Sequence, residues 1–242
     1  MPETLDLNSF ASPLRAAVIG GGGIGDAVAK SLATSKGTSE VLRLSRRNDA
    51  DLRLDVTNEA SIKAAAMEIG KAGPLDLVFV TTGMLHDANT SPEKSLSALT
   101  PEALTTLYQV NAIGPALVAK HFLPLLARDR KAVFAALSAR VGSISDNRLG
   151  GWHSYRASKA ALNMLIRTMS IELARRNPSA LIVGMHPGTV DTPLSEPFQR
   201  GVKEGKLFTP ERSATAMLGV LDRLTPEDSG GQFAWDGQRV PD

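Results

Sequence analysis

Two hydrophobic rhythms alternate along this chain of 242 residues. Short apolar runs with the length of strands are each followed by a stretch whose apolar positions recur every three or four residues, the period of a helix. Segment 15–20 (RAAVIG) is a run of the first kind and ends in glycines, after which Ile24, Val28 and Leu32 fall four apart on one helical face. Residues 40–45 and 52–56 predict a second and a third strand. Asn58 caps a helix over 59–72 that Gly73 and Pro74 close. Segment 75–81 (LDLVFVT) is apolar enough to be a strand buried on both faces of a parallel sheet.

The scheme repeats with longer helices. Thr100, Pro101 and Glu102 open a helix that the pattern carries to about residue 127. Strands follow at 131–138, 180–186 and 232–235, and helices at 154–176 and 210–224. Strand and helix in strict alternation predict a single-domain Rossmann fold over 1–242, an α/β doubly wound parallel sheet of about seven strands. Residues 1–14 read as a loose leader. Segment 192–208, rich in Pro, Gly and charge, reads as a loop beyond a strand's carboxyl end, the usual place of a substrate lid.

Composition narrows the chemistry. There is no cysteine, so disulfides, thiolate nucleophiles and Cys-ligated zinc or iron–sulfur centres are excluded, and a reducing, cytoplasmic setting is expected. The net charge of +2 (27 basic minus 25 acidic residues) goes with a pI near 9.0. That pI reflects the scarcity of groups titrating between neutrality and lysine, with no thiol and two tyrosines. With no basic stripe, no nucleic-acid partner is expected. The longest uncharged stretch, 103–119, contains Gln109, Asn111, Gly114 and Pro115 and falls short of the roughly 20 apolar residues of a membrane span, so no membrane partner is expected either. The four histidines show no metal-ligand spacing, no G-x-S-x-G elbow occurs, and Gly205-Lys206-Leu207 is no phosphate loop.

Gly20, Gly22 and Gly25 satisfy G-x-G-x-x-G between the first strand and the first helix. In that context glycines let backbone N–H groups, here with Gly23 and Ile24, approach a pyrophosphate at the helix's positive end. An NAD site would place an acid about 20 residues further on, yet the chain has Ser45-Arg46-Arg47 there, with Asp49 only in the turn beyond. An arginine fork suits a 2′-phosphate that a carboxylate would repel, so NADP(H) is the expected cofactor, held by Ser45 and Arg46 with Arg47 in reserve. Of the two tyrosines, only Tyr155 has a lysine four residues on, Lys159, in SYRASKAALN. That spacing puts an ammonium beside a phenol, lowering its pKa and making it a proton donor to a carbonyl oxygen.

The glycine loop, LDVT at 54–57, TTG at 81–83, VNAIGP at 110–115, LSARVGS at 137–143, YRASK at 155–159 and HPGTVDT at 186–192 together resemble the short-chain dehydrogenase/reductase family over nearly the whole chain. GMLHD at 83–87, SPEKSL at 91–96 and the ending SGGQFAWDG resemble its C-factor-like carbonyl reductase branch. The resemblance implies Tyr155 as general acid, Lys159 on the nicotinamide ribose, and Asn111 positioning a water in the proton relay. It also implies Asp55 and Val56 beside the adenine, Thr82 and Gly83 along the cofactor, and Pro187, Gly188, Thr189, Val190 and Thr192 on the nicotinamide side. The family's usual serine position falls on Ala139, so the hydroxyl that holds the substrate oxygen is assigned to Ser138, with Ser143 as the rival. The substrate is expected to be a small carbonyl compound or alcohol, and the resemblance implies a homodimer or homotetramer built on the long helices. A non-catalytic cofactor-binding sensor and an epimerase or dehydratase are the alternative readings. His86 reads as a polar loop residue, Trp152 and Trp235 as packing aromatics.

Overall fold

The computed structural model describes residues 5–242. Seven strands form one parallel sheet: β1 (Leu14–Ile19), β2 (Thr38–Ser45), β3 (Leu52–Arg53), β4 (Leu77–Val80), β5 (Ala132–Leu137), β6 (Ala180–His186) and β9 (Gln232–Ala234). Two short strands, β7 (Thr189–Val190) and β8 (Leu207–Phe208), pair separately. The helices are α1 (Gly23–Ala33), α2 (Glu59–Gly70), α3 (Pro101–Tyr108), α4 (Gly114–Phe122), α5 (His153–Arg176) and α6 (Pro210–Arg223). Alternation along each strand feeds two cores. Ala17 and Ile19 of β1 pack towards α2, α4 and α5, while Ala16 and Val18 pack towards α1 and α6. β4 and β5, buried at every residue, lie between the two layers.

The order β3-β2-β1-β4-β5-β6-β9 reverses the winding direction between β1 and β4. At that switch point the crossovers leave to opposite sides and open a crevice at the strands' carboxyl ends, where doubly wound sheets bind ligands.

Three expectations are corrected. The helix expected from Thr100 to about residue 127 is divided into α3, a π-helical turn at Gln109–Ile113, α4 and a 3₁₀ turn at Leu123–Leu125. Pro115 has no N–H to give the carbonyl of Asn111 and its ring crowds that carbonyl, so the helix widens by a residue at this point. The leader is not loose over its described part. Leu7 and Phe10 are buried in the α1–α6 core, and Ser9 N–H donates to Asp222 Oδ1 at 2.9 Å. Lys131 donates to Ser9 Oγ and to the carbonyls of Leu221, Asp222 and Leu224 at 2.7–2.9 Å, and lies 4.9 Å from the Phe10 ring centre. Burial pushes Lys131 down to about 8. Residues 1–4 lie outside the described part. Thirdly, β3 ends at Arg53 rather than at 56, because Asp55 turns back to accept from Thr57 N–H at 2.9 Å and Thr57 O–H at 2.8 Å.

Candidate active site

The crevice divides into two adjoining pockets. The first, of about 290 Å³, is lined by Gly20, Gly21, Gly22, Ser45, Arg46, Arg47, Asp55, Val56, Thr81, Thr82, Gly83 and Val110. Two glycines are indispensable to its shape. Gly20 adopts φ +136°, and a Cβ there would stand 2.5 Å from Thr81 Oγ1; a Cβ on Gly25 would run into the Gly20 carbonyl and lie 2.6 Å from the same hydroxyl. Side chains at either point would push α1 away from β1 and β4. Gly22 caps α1 with no side-chain bond, so the helix's first N–H groups face the crevice. At the crevice floor the Thr82 hydroxyl is buried without a protein partner, the kind of atom a ligand completes.

The two arginines differ. Arg47 is saturated: its guanidinium bonds both oxygens of Asp49 (2.9 and 2.7 Å), Asp26 Oδ2 (2.9 Å) and the Gly21 carbonyl (2.9 Å), and these acids raise its pKa. Arg46 is exposed and has no hydrogen-bond or ion-pair partner among the described residues. Ser45 is buried, its hydroxyl accepting from Arg47 N–H at 3.1 Å. Burial would raise the Asp55 carboxyl, but the two Thr57 bonds together with the positive charges of Arg46 and Arg53 outweigh it and hold Asp55 below its usual range.

The second pocket, of about 250 Å³, lies beside the first and brings together residues from distant segments. Its lining includes Ile24, Leu85, Ser138, Ala139, Val141, Trp152, Tyr155, the run from His186 to Val190, Thr192, Leu194 and Phe198. Ile24 therefore borders this pocket rather than the first, while Gly23 lines neither and packs close to the second, a Cβ there lying 3.3 Å from the Thr192 methyl. Tyr155 and Lys159 sit one turn apart on α5, both buried, with Nζ 5.9 Å from the ring centre. Lys159 Nζ donates to the Leu137 carbonyl at 2.8 Å. It lies 3.6 Å from where a Gly83 Cβ would stand, so the lysine reaches between the two pockets.

The electrostatics reverse one expectation. Burial pushes the Tyr155 phenol up to about 12 and Lys159 down to about 7. At this burial, desolvation of the charged forms outweighs the pair's mutual attraction, which spacing alone had favoured. The phenol is therefore protonated at neutral pH, as a proton donor must be.

Asn111 is fully buried in the π turn, and its amide is used by protein. Oδ1 accepts from Met84 N–H at 2.8 Å, and Nδ2 donates to the Met84 carbonyl (2.8 Å) and Ser158 Oγ (3.1 Å). The side chain thus ties the loop after β4 to α5. The two serines separate. Ser138 lines the Tyr155 pocket, and its hydroxyl donates to Asn163 Oδ1 at 2.6 Å. Ser143 lies behind, in a different pocket, accepting from Asp146 N–H at 3.2 Å.

The pocket's far wall was not legible. Trp152 packs edge-on against Phe198 (5.0 Å between ring centres) and Tyr155 (6.2 Å). His86 Nε2 meets the Leu194 carbonyl at 3.1 Å and its ring lies 5.8 Å from Phe198, joining the loop after β4 to segment 192–208. That segment is anchored at its end by the pairing of β8 with β7. Among the described residues, no cluster of His, Cys, Asp and Glu could hold a metal, and no helix is long and apolar enough to cross a membrane.

A glycine cradle at the switch point, adjoining a buried tyrosine–lysine pair, defines an oxidoreductase of the Rossmann type. The family model for short chain dehydrogenases matches residues 15–203, and the chain belongs to that family. It is 33% identical over 178 residues to 1-hydroxy-2-glutathionyl-2-methyl-3-butene dehydrogenase of Rhodococcus sp. (strain AD45), covering 73% of each chain. It is 39% identical over 134 residues to the C-signal protein of Myxococcus xanthus, covering 55% of this chain and 75% of that one. Among solved structures, NADPH-bound carbonyl reductase from chicken fatty liver superposes with a TM-score of 0.83 at 28% identity, covering 96% of this chain and 100% of that one.

Proposed function

We propose that this protein is an NADP(H)-dependent reductase of small carbonyl compounds, or in reverse a dehydrogenase of the corresponding alcohols. The observation that carries the reading is a protonated, buried Tyr155 backed by Lys159, at the border between an apolar pocket and a glycine-lined cleft. The cofactor, when bound, supplies or takes the hydride. Gly20, Gly22 and the α1 N-terminus suit its pyrophosphate, Arg46 its 2′-phosphate, Asp55 and Val56 its adenine, and Thr82 and Gly83 its mid-portion. Pro187, Gly188, Thr189, Val190 and Thr192 flank the nicotinamide side, and Lys159, reaching past Gly83, the adjacent ribose. This likeness to a reductase solved with NADPH also supports the choice of cofactor.

In reduction, the Tyr155 O–H gives its proton to the substrate oxygen, and Lys159 lies behind the phenol to stabilise the phenolate that remains. Ser138 holds the substrate oxygen beside the phenol, and Asn111 fixes the loop that carries Leu85 into the pocket. Segment 192–208 closes over the substrate. Two copies associate through α4 and α5, which expose Ile113 close to α4 together with Met164 and Ile171.

The test is NADPH oxidation, followed at the nicotinamide absorbance, against a panel of aldehydes, ketones and quinones. The wild type is expected to turn over at least one class. Tyr155→Phe should lose about 10³-fold or more in kcat while binding NADPH as before, the scale of losing a general acid. Tight NADPH binding with no turnover of any carbonyl would favour the sensor reading.

A further inference from the structure

The motif SPEKSL at 91–96 supplies one residue whose placement the proposed chemistry has not used. Glu93 is carried by the loop between β4 and α3, yet it is buried, at 3% exposure, against the start of α5. Its side chain bonds Ser154 twice: Oε1 accepts from the Ser154 hydroxyl, and Oε2 from Ser154 N–H at 3.3 Å. Its main-chain carbonyl accepts from Trp152 N–H at 2.6 Å.

The position explains the need. α5 begins after Gly150 and Gly151, and the residue in the N-cap position is Trp152, which has no side-chain oxygen to offer the helix. Trp152 also sits at φ +52°, a left-handed backbone that a bulky residue adopts only when its surroundings impose it. Glu93 provides the missing acceptor from a segment about sixty residues away in sequence, doing for Ser154 N–H what a capping side chain would do locally. Ser154, fully buried, is held between Trp152 and Tyr155. The first turn of α5 thus presents its aromatic wall and its phenol from a base fixed by one carboxyl group.

We infer that Glu93 is a positioning residue, which clamps the start of α5 so that Trp152 and Tyr155 keep their places in the substrate pocket. This rests on the reading of Tyr155 as the proton donor. A displacement of a reacting group by about an ångström can cost 10²-fold in rate, so a clamp one residue from Tyr155 acts on turnover more than on cofactor binding.

The experiment uses the full chain in a Trp235→Phe background, which leaves Trp152 as the single tryptophan. Glu93→Gln and Ser154→Ala are each compared with that parent for kcat, KM of the carbonyl, Kd of NADPH and Trp152 emission. The expected result is a kcat lowered about tenfold or more, NADPH affinity within about twofold, and a shifted Trp152 emission. The double variant should be no worse than Glu93→Gln alone, since both act through one contact. A merely structural role would lower the melting temperature and leave kcat and emission of the folded protein unchanged, and that outcome overturns the inference. So does a change in only one of the two, or a loss of NADPH affinity in proportion to kcat. Should Glu93→Gln not fold, Ser154→Ala carries the same criteria. If the parent reduces no carbonyl, the reading of function fails, and the emission of the variants then decides alone whether Glu93 sets this end of α5.

Discussion

The two halves of the crevice are built by opposite means. The glycine-lined cleft is made by the ends of β1, β2 and β4 and by backbone; its arginines, Arg46 and Arg47, stand in water with the Arg47 partners Asp26 and Asp49 beside it, and only Asp55 is partly buried. The pocket around Tyr155 is assembled from the loop after β4, the end of β5, the start of α5 and the segment after β6; Arg140 stands at its solvent side, while Tyr155, Ser138 and the neighbouring Lys159 and Asn111 are dehydrated. Water screens the first set and leaves their interactions soft, whereas burial moves Tyr155 and Lys159 far from their ordinary titration ranges. Substitutions in the pocket should therefore act on turnover and on pH dependence, and those in the cleft on cofactor choice and salt dependence.

Lys159→Met presses hardest on that contrast. Turnover should fall by about 10²–10³-fold, within the range of a lost acid–base partner, and the pH dependence of folding should change as well. Lys159 titrates at about 7 in the folded protein and near its ordinary value, far higher, when unfolded. Between these values the unfolded chain binds more protons, so stability rises with pH from about 7 upward. Lys131, held at about 8, adds a similar rise only from there on. Denaturant melts of Lys159→Met should thus show a flattened slope between pH 7 and 8, and an unchanged slope would mean that burial does not govern this lysine.

The serines test the pocket's boundary at smaller scale. Ser138→Ala should lower kcat/KM by about 10–10²-fold, the lower end of what one hydrogen-bond donor to a developing oxyanion contributes. Ser143→Ala, on a buried hydroxyl that faces a different pocket, should change it by less than about twofold, since the group is out of reach of the proton that Tyr155 transfers. Equal losses would show that the pocket extends behind Val141.

The same contrast separates what was readable in the sequence from what was not. Strand–helix alternation and the glycine loop are local patterns, so the parallel sheet and the candidate roles of Gly20, Gly25 and Ser45 followed from neighbours in the chain, whereas Asp55 came from the family resemblance and the order-reversing crevice only from the fold. Tyr155 and Lys159 were readable because four residues make one helical turn. The π turn at Asn111 was not foreseen, although Pro115 four residues on was its signal. Trp152, Phe198 and Glu93 could not be assigned to one wall, because only the tertiary fold brings residues 93, 152 and 198 together. The leader misled for the same reason: Leu7 and Phe10 are apolar positions whose partners on α6 lie some two hundred residues away.

The smallest and most specific effect belongs to the cleft. Arg46 and Arg47 are adjacent in sequence and alike in chemistry, yet Arg47 spends its donors on Asp26, Asp49 and the Gly21 carbonyl while Arg46 offers its own to solvent. A 2′-phosphate entering past Ser45 would meet a free guanidinium at 46 and an already neutralised one at 47. Arg46→Asp should therefore reduce the ratio of NADPH to NADH efficiency by about tenfold or more at low salt, the loss of a charge-assisted bond and the gain of a repulsion. Because the group is exposed, the effect should shrink as ionic strength rises. Arg47→Ala should leave the ratio nearly unchanged and instead loosen the turn after β2, freeing two carboxylates close to the glycine loop. Kinetics with both cofactors at two salt concentrations measure all of this at once. A preference that follows Arg47 rather than Arg46 would mean that the Asp26–Arg47–Asp49 network opens on binding.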